Sequence, residues 1–278
     1  MSFIEILKAI ILGVVEGVTE WLPISSTGHL ILVNEFLHLK MSKDFIDMFR
    51  VVIQLGAILA VVLLYWKKIF PFSFKKREDF IKKDIMIMWV KILVACVPAA
   101  IIGILWDDKI DALFYNYVSV SIALIVFGIL FIVIENRNAK HRPRIKSIAD
   151  ITFQTTILIG IFQVIAAVFP GVSRSGATII GAMLIGVARG VATEYTFFLA
   201  IPVMMGASLL KLVKFGSFTS SELIVLLTGM VTAFFVSIFV IKFLTGYIKK
   251  HNFKIFGWYR IVLGVIVLGF FVVQTYLF

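Results

Sequence analysis

The stretch Gly13-Val14-Val15-Glu16-Gly17-Val18-Thr19-Glu20-Trp21-Leu22-Pro23-Ile24-Ser25-Ser26-Thr27-Gly28-His29-Leu30 decides how this chain is to be read. It places two carboxylates, a run of hydroxyls and an imidazole inside a sequence that is 61% hydrophobic and only 15% charged. Glu16 and Glu20 are four apart, so on a helix they share a face and repel one another. Each would cost roughly 2.5 to 3.5 kcal/mol at mid-bilayer, so a cation, a proton or water must compensate. Pro23 closes the helix, because its ring excludes the preceding residue from the α region. The polar turn Ser25-Ser26-Thr27-Gly28-His29 suits a loop whose backbone N–H groups face an anion, beside a histidine able to serve as acid, base or nucleophile.

Working outward, a mean hydropathy of +1.05 excludes a soluble domain. Barrel strands would alternate, and these segments do not, so the fold class is an all-α polytopic membrane protein. The formal charge of +11 does not indicate nucleic acid, because the Lys and Arg cluster between apolar runs. They follow the positive-inside pattern, and the partner is the lipid bilayer. The single Cys96 lies in an apolar run and reads as a packed thiol, and no cleavable signal is expected at the N-terminus.

Residues 3–22 and about 28–38, two short helices around the polar turn, predict a re-entrant hairpin that carries Asn34 and Glu35. Crossings are expected at 49–66, 86–105 and 117–134. The loop with Lys67, Lys68, Lys75, Lys76, Arg77, Lys82 and Lys83 is assigned to the cytoplasm. The acidic stretch Asp107-Asp108-Lys109-Ile110-Asp111 is assigned outside, and Arg137, Lys140, Arg142, Arg144 and Lys146 mark a second cytoplasmic segment, in which His141 is solvated. From Asp150 the order restarts. Gly160 and Gln163 repeat Gly13 and Glu16 at an offset of 147, which pairs Ser173 with Ser26, and at a slightly longer offset Gly206-Ala207 answers Gly56-Ala57. Crossings follow at 193–212, 223–246 and 258–277, with Lys249, Lys250 and Lys254 between the last two. Three crossings is an odd number, so the second half enters from the other side. The expectation is one membrane domain over 1–278, built as an inverted-topology repeat of about 1–136 and 150–278 around a basic linker at 137–149, each half a hairpin plus three spans. The two hairpin tips should meet near the midplane.

The second tip is Pro170-Gly171-Val172-Ser173-Arg174-Ser175-Gly176-Ala177-Thr178. A guanidinium at that depth needs anions, and its fork fits phosphate oxygens. Gly171 and Gly176 permit close backbone approach, and Ser173, Ser175 and Thr178 offer hydroxyls. The plainer account is that Arg174 only neutralises Glu16 and Glu20, which leaves the hydroxyls and His29 without a purpose. Together the tips suit an anionic head group on an apolar tail, with the carboxylates able to hold a divalent cation. Arg50 is either a second phosphate contact or a snorkelling anchor. Asp150, Arg189 and Glu194 read as interfacial anchors or caps, Gln54 and Gln163 as interhelical bridges, and the many Phe as lipid-facing or packing residues.

At these two motifs, and over essentially its full length, the chain resembles the undecaprenyl-diphosphate phosphatase family, the bacitracin-resistance (BacA-type) enzymes. Trp21 and Val172 depart from that pattern, where Phe and Thr are expected. The resemblance implies hydrolysis of undecaprenyl diphosphate to the monophosphate and phosphate in the bacterial cytoplasmic membrane, which recycles the carrier lipid. It implies a pocket open to the outer face and a need for Mg²⁺ or Ca²⁺. By motif, Glu16 and Glu20 are the acidic, metal-holding pair. Glu20, Ser26, His29 and Arg174 are the catalytic candidates, with Ser26 or His29 as nucleophile and Glu20 or His29 as proton acceptor. Ser25, Thr27, Gly28, Gly171, Ser173, Ser175, Gly176 and Thr178 complete the substrate pocket. A homodimer is left open. The competing reading is a secondary transporter or lipid flippase on the same inverted-repeat plan. Against it, Glu16, Glu20 and His29 face Gln163, Ala167 and Gly176, so the reactive groups lie in one half.

Overall fold

The structure is a computed structural model that describes residues 3–74 and 79–277. Lys75, Lys76 and Arg77 of the first basic loop lie outside the described residues, as do the side chains of Asn34, Glu35, Asp107, Asp108 and Asp111. Eleven helices are described: α1 (Phe3–Thr19), α2 (Ser26–Phe36), α3 (Lys43–Val52), α4 (Gln54–Ile69), α5 (Lys83–Phe114), α6 (Tyr117–Asn138), α7 (Phe153–Val168), α8 (Arg174–Leu184), α9 (Arg189–Phe215), α10 (Ser220–Tyr247) and α11 (Lys254–Leu277).

Six segments are long and apolar enough to cross a bilayer, namely Lys43–Ile69, Lys83–Trp106, Tyr117–Asn138, Arg189–Phe215, Ser220–Tyr247 and Lys254–Gln274. Five of the expected crossings lie inside these segments, and the one expected at 258–277 runs three residues past the last, which ends at Gln274. The 17 residues of α1 and 16 of α7 span only about 24 to 26 Å at 1.5 Å per residue, short of a hydrocarbon core of about 30 Å. With 11 residues each, α2 and α8 are shorter still.

The structure differs from the sequence reading in two boundaries and one packing relation. The acidic stretch at 107–111 is a helical continuation of α5 rather than a loop, because no proline or glycine intervenes before Asn116, which caps α6 by accepting from the Ser119 N–H. The helix α1 ends at Thr19, three residues earlier than expected, since Pro23 disfavours helix for the residues leading into it. The third is the relation of Gly206 to Gly56: a Cβ at Gly56 would fall 2.0 Å from the Met230 carbonyl oxygen, whereas one at Gly206 meets nothing within 4 Å.

Packing puts the short helices against spans of the other half. α1 lies along α10 and α7 along α5, while α6 packs on α11 and α4 on α9. Glycines set these distances. A Cβ on Gly13 would sit 2.6 Å from the Gly229 carbonyl oxygen, and one on Gly160 would sit 2.7 Å from that of Ala95. Gly128 and Gly257 meet reciprocally, each 2.7 Å from the other's carbonyl by the same measure. Real Cβ atoms do not approach so closely, so α6 and α11 owe their seam to this pair. At the basic end, Arg189 grips the fully buried Glu135 with contacts of 2.6 to 2.9 Å, and Glu135 also accepts from the Phe253 N–H. Glu194 pairs with Lys68 at 2.7 Å, and Asp150 accepts from the Ser147 N–H. Arg189 and Glu194, expected as interfacial anchors or caps, instead make tertiary ion pairs, and Asp150 closes a turn with Ser147, while Thr152 and Ala188 are the N-cap residues of α7 and α9.

Candidate active site

The two tips share an uncommon backbone device. Ser25 (φ 74°) and Ser173 (φ 71°) are the two non-glycine residues with positive φ among those described. A non-glycine residue in that region is strained by its Cβ. Each serine is the N-cap of the following helix: Ser25 Oγ accepts from the Gly28 N–H at 3.4 Å, and Ser173 Oγ accepts from the Gly176 N–H at 3.2 Å. The capped helices α2 and α8 therefore begin at Ser26 and Arg174. This revises the register read from the sequence, because Ser173 answers Ser25 rather than Ser26, and the residue opposite Ser26 is Arg174. The cause is one extra residue after Pro170, accommodated by Gly171 at φ +93°.

Glu20 joins the two helix starts. Its Oε1 accepts from Arg174 Nη2 at 2.7 Å and its Oε2 accepts from Ser26 Oγ at 3.1 Å. Its backbone carbonyl accepts from Ser175 Oγ at 3.2 Å. Arg174 also donates through Nη1 to the Thr196 carbonyl at 3.0 Å, which fixes the plane of its fork. Two helix N-termini, each rich in unpaired N–H groups, open onto this cluster and favour an anion there.

Other hydroxyls are taken up in building the tips. Ser173 and Ser175 share a hydrogen bond at 3.1 Å, and Thr178 Oγ1 donates to the Arg174 carbonyl at 2.9 Å and bonds Thr196 Oγ1 at 2.9 Å. Thr27 is half-buried beside Ser26. The glycines have packing reasons of their own. A Cβ on Gly28 would meet Leu124 at 2.9 Å, one on Gly171 the Val120 carbonyl at 2.7 Å, and one on Gly176 an Arg260 nitrogen at 3.2 Å.

His29 has both ring nitrogens engaged. Nδ1 lies 2.7 Å from the Ser25 carbonyl, which can only accept, so Nδ1 carries a proton. Nε2 lies 2.6 Å from the Tyr259 hydroxyl, on a partly exposed edge of the cluster. Neither nitrogen reaches Ser26, whereas Glu20 does.

Glu16 is fully buried, and neither carboxylate oxygen has a hydrogen-bond partner among the described residues. It lies within electrostatic reach of Glu20 and Arg174. An orphaned buried carboxylate is costly unless something meets it. A divalent cation fits that place. No group of three or more His, Cys, Asp and Glu gathers for metal binding among the described residues. A cation there would rest on one or two carboxylates plus substrate phosphate, which is the habit of Mg²⁺.

Several expected residues are elsewhere. Arg50 pairs loosely with Asp47 at 3.9 Å and lines a small apolar crevice with Leu12 and Leu30. Gln163 donates to the Ala95 carbonyl at 3.4 Å, as an interhelical bridge would. Trp21 is buried edge-on against Phe197. Cavities of about 780 and 600 Å³ lie at the basic face, the first lined by Lys68, Lys91 and Lys146 and the second by Arg137, Arg142 and Arg144, and neither reaches a tip. Two residues at the cluster were not anticipated, Tyr259 and the fully buried Arg260, both on α11. A charge within an apolar span was the signal that should have drawn attention to Arg260.

The bacitracin resistance protein BacA family model matches residues 9–266. Curated relatives named undecaprenyl-diphosphatase include one from Desulfitobacterium hafniense, 64% identical over 99% of this chain and 99% of its own. The undecaprenyl-diphosphatase 1 of Clostridium acetobutylicum is 66% identical over 98% of this chain and its whole length, and one from Enterococcus faecalis is 62% identical over 96% and 98%. A single model running through both tips and five spans and into the sixth, with relatives matched over nearly their whole length, places this chain in the bacitracin resistance protein BacA family.

Proposed function

We propose that this chain is an integral-membrane phosphatase that hydrolyses undecaprenyl diphosphate to undecaprenyl phosphate and inorganic phosphate, recycling the carrier lipid for wall synthesis. The names of its full-length relatives support the reaction. The observation that carries it to particular residues is Glu20, held between Ser26 and Arg174 where two helix N-termini converge. In this reading Ser26 Oγ attacks the terminal phosphorus and Glu20 takes its proton, being within the reach of a general base. The bridging P–O bond breaks and undecaprenyl phosphate leaves, carrying the proton from Glu20; water then attacks the phosphoserine, Glu20 takes its proton and returns it to Ser26 Oγ as the P–Oγ bond breaks and phosphate is released. Arg174 exchanges Glu20 for a phosphate oxygen as substrate enters, while its bond to Thr196 keeps the fork aimed. His29, tied to Ser25 and Tyr259, orients the first turn and is the alternative nucleophile. A divalent cation, Mg²⁺ or Ca²⁺, held by Glu16 and Glu20, would neutralise charge on the phosphate oxygens when bound.

The finer architecture belongs to the same reading. Matching N-caps and the glycine contacts of α1 on α10 and of α7 on α5 support an inverted-topology repeat, with α1–α2 and α7–α8 as re-entrant hairpins. We place the chain in the bacterial cytoplasmic membrane with the site opening outward. The tips meet α6 at Val120 and Leu124, near the end opposite the basic linker, which supports that side. A transporter would need a site that either half can expose, whereas Glu16 and Glu20 are answered by Gln163 and Ala167.

The direct test is phosphate release from undecaprenyl diphosphate by protein purified in detergent. Release that EDTA abolishes and Mg²⁺ or Ca²⁺ restores is expected; vectorial lipid uptake by proteoliposomes without release would overturn the reading in favour of a transporter. Arg174→Lys keeps the charge but not the fork and is expected to lower kcat by about 10²-fold. A Lys variant with parental turnover would reduce Arg174 to a point charge.

A further inference from the structure

Arg260 enters the membrane domain from α11 with no exposed surface and no carboxylate in salt-bridge range among the described residues. Its Nη1 donates to the Pro23 carbonyl at 3.3 Å, and its Nη2 donates to the carbonyls of Gly171 at 2.9 Å and Val172 at 2.8 Å. Pro23 belongs to the first tip, Gly171 and Val172 to the second. These carbonyls sit in turns, where helix bonding does not satisfy them, so each needs an outside donor. One rigid guanidinium supplies all three.

The surroundings are built to admit it. The Phe127 ring lies 5.9 Å from its Cζ. Where a side chain would press on it there is glycine: a Cβ at Gly176 would come within 3.2 Å of Nη1, and one at Gly128 within 3.2 Å of the Arg260 Cβ. Burying a guanidinium without a counter-ion costs several kcal/mol, so stability alone is a poor reason to keep one.

We propose that Arg260 is a positioning residue, the staple that fixes the separation of the two tips and so the alignment of Ser26 with Arg174. The proposal rests on the phosphatase reading above and deepens it. The tips have a second link, Arg174 to Glu20, but that one must open when phosphate takes the guanidinium. The hydrogen bonds of Arg260 go only to backbone carbonyls that phosphate does not replace, so it holds the gap constant while the other link exchanges. Its fork is the reason for arginine, since an ammonium can serve one tip but not both.

The test uses the full-length protein with Cys96→Ala and spin labels at Leu22 and Phe169, one beside each tip, after the labelled parent has been shown to keep its turnover. In R260M the inter-label distance distribution is expected to lengthen or broaden, and kcat to fall by about 10²-fold, the scale of a 1 Å misplacement. R260K is expected to recover only a small part of either. Full turnover in R260M or R260K overturns the proposal, and so does lost turnover with an unchanged distance distribution, which would make the charge rather than the geometry responsible. Failure of both variants to fold overturns it as well, by making Arg260 a folding residue. Absence of phosphate release in the parent would sink the phosphatase reading instead, and the distance measurement would still report on the staple.

Discussion

Ser26→Ala is expected to lower kcat by about 10⁴-fold or more while leaving the protein folded and able to bind diphosphate. Ser26 is the first residue of α2, so its hydroxyl stands at the mouth of a helix N-terminus, and it already donates to Glu20 at 3.1 Å. Alanine keeps the helix start, since the cap belongs to Ser25. The variant therefore removes the oxygen without removing its setting. Phosphate release from the purified variant measures the loss, and thermal unfolding in detergent checks the fold. Turnover near the parental rate would take Ser26 out of the reaction and pass the attack to His29 or to water.

Glu20→Gln should cost about 10³-fold, within the range of a lost general base. Glutamine keeps the shape and one oxygen, so Arg174 can still be met, but it cannot accept the Ser26 proton. Glu16→Gln should cost less, because its place calls for an oxygen toward a cation and glutamine still offers one. Raising the Mg²⁺ concentration should recover part of the Glu16→Gln loss and none of the Glu20→Gln loss. Equal losses, with no response to metal, would mean that the two carboxylates share a proton.

The spans were readable because apolar runs between clusters of Lys and Arg leave few alternatives for the backbone. Five of the six crossings contain the stretches expected of them, extended at their ends by residues such as Lys43 and Lys83 that reach toward water, and the last starts earlier and stops at Gln274. The juxtaposition of Glu20 and Arg174 was likewise accessible, since an acid and a guanidinium stranded in apolar surroundings must find each other. Other features depend on distances that letters do not carry. The one-residue shift that sets Arg174 opposite Ser26 comes from a positive φ at Gly171 and at both cap serines. The hydroxyls of Ser173, Ser175 and Thr178 looked free in the sequence and turn out to be engaged within their own tip, with the Glu20 carbonyl and with Thr196. Arg260 was passed over because a single arginine six residues into α11 resembles an interfacial anchor until its three carbonyl partners are seen.

The exchange of seats between the halves bears on how the molecule is made. The bed on which α1 lies is α10, so α1 lacks its main packing partner until the chain has been made through Tyr247. Until α8 has followed, Glu20 has no Arg174 to face. The reactive centre, which joins Glu20 and Ser26 to Arg174, therefore exists only once residues from both halves of the chain have come together.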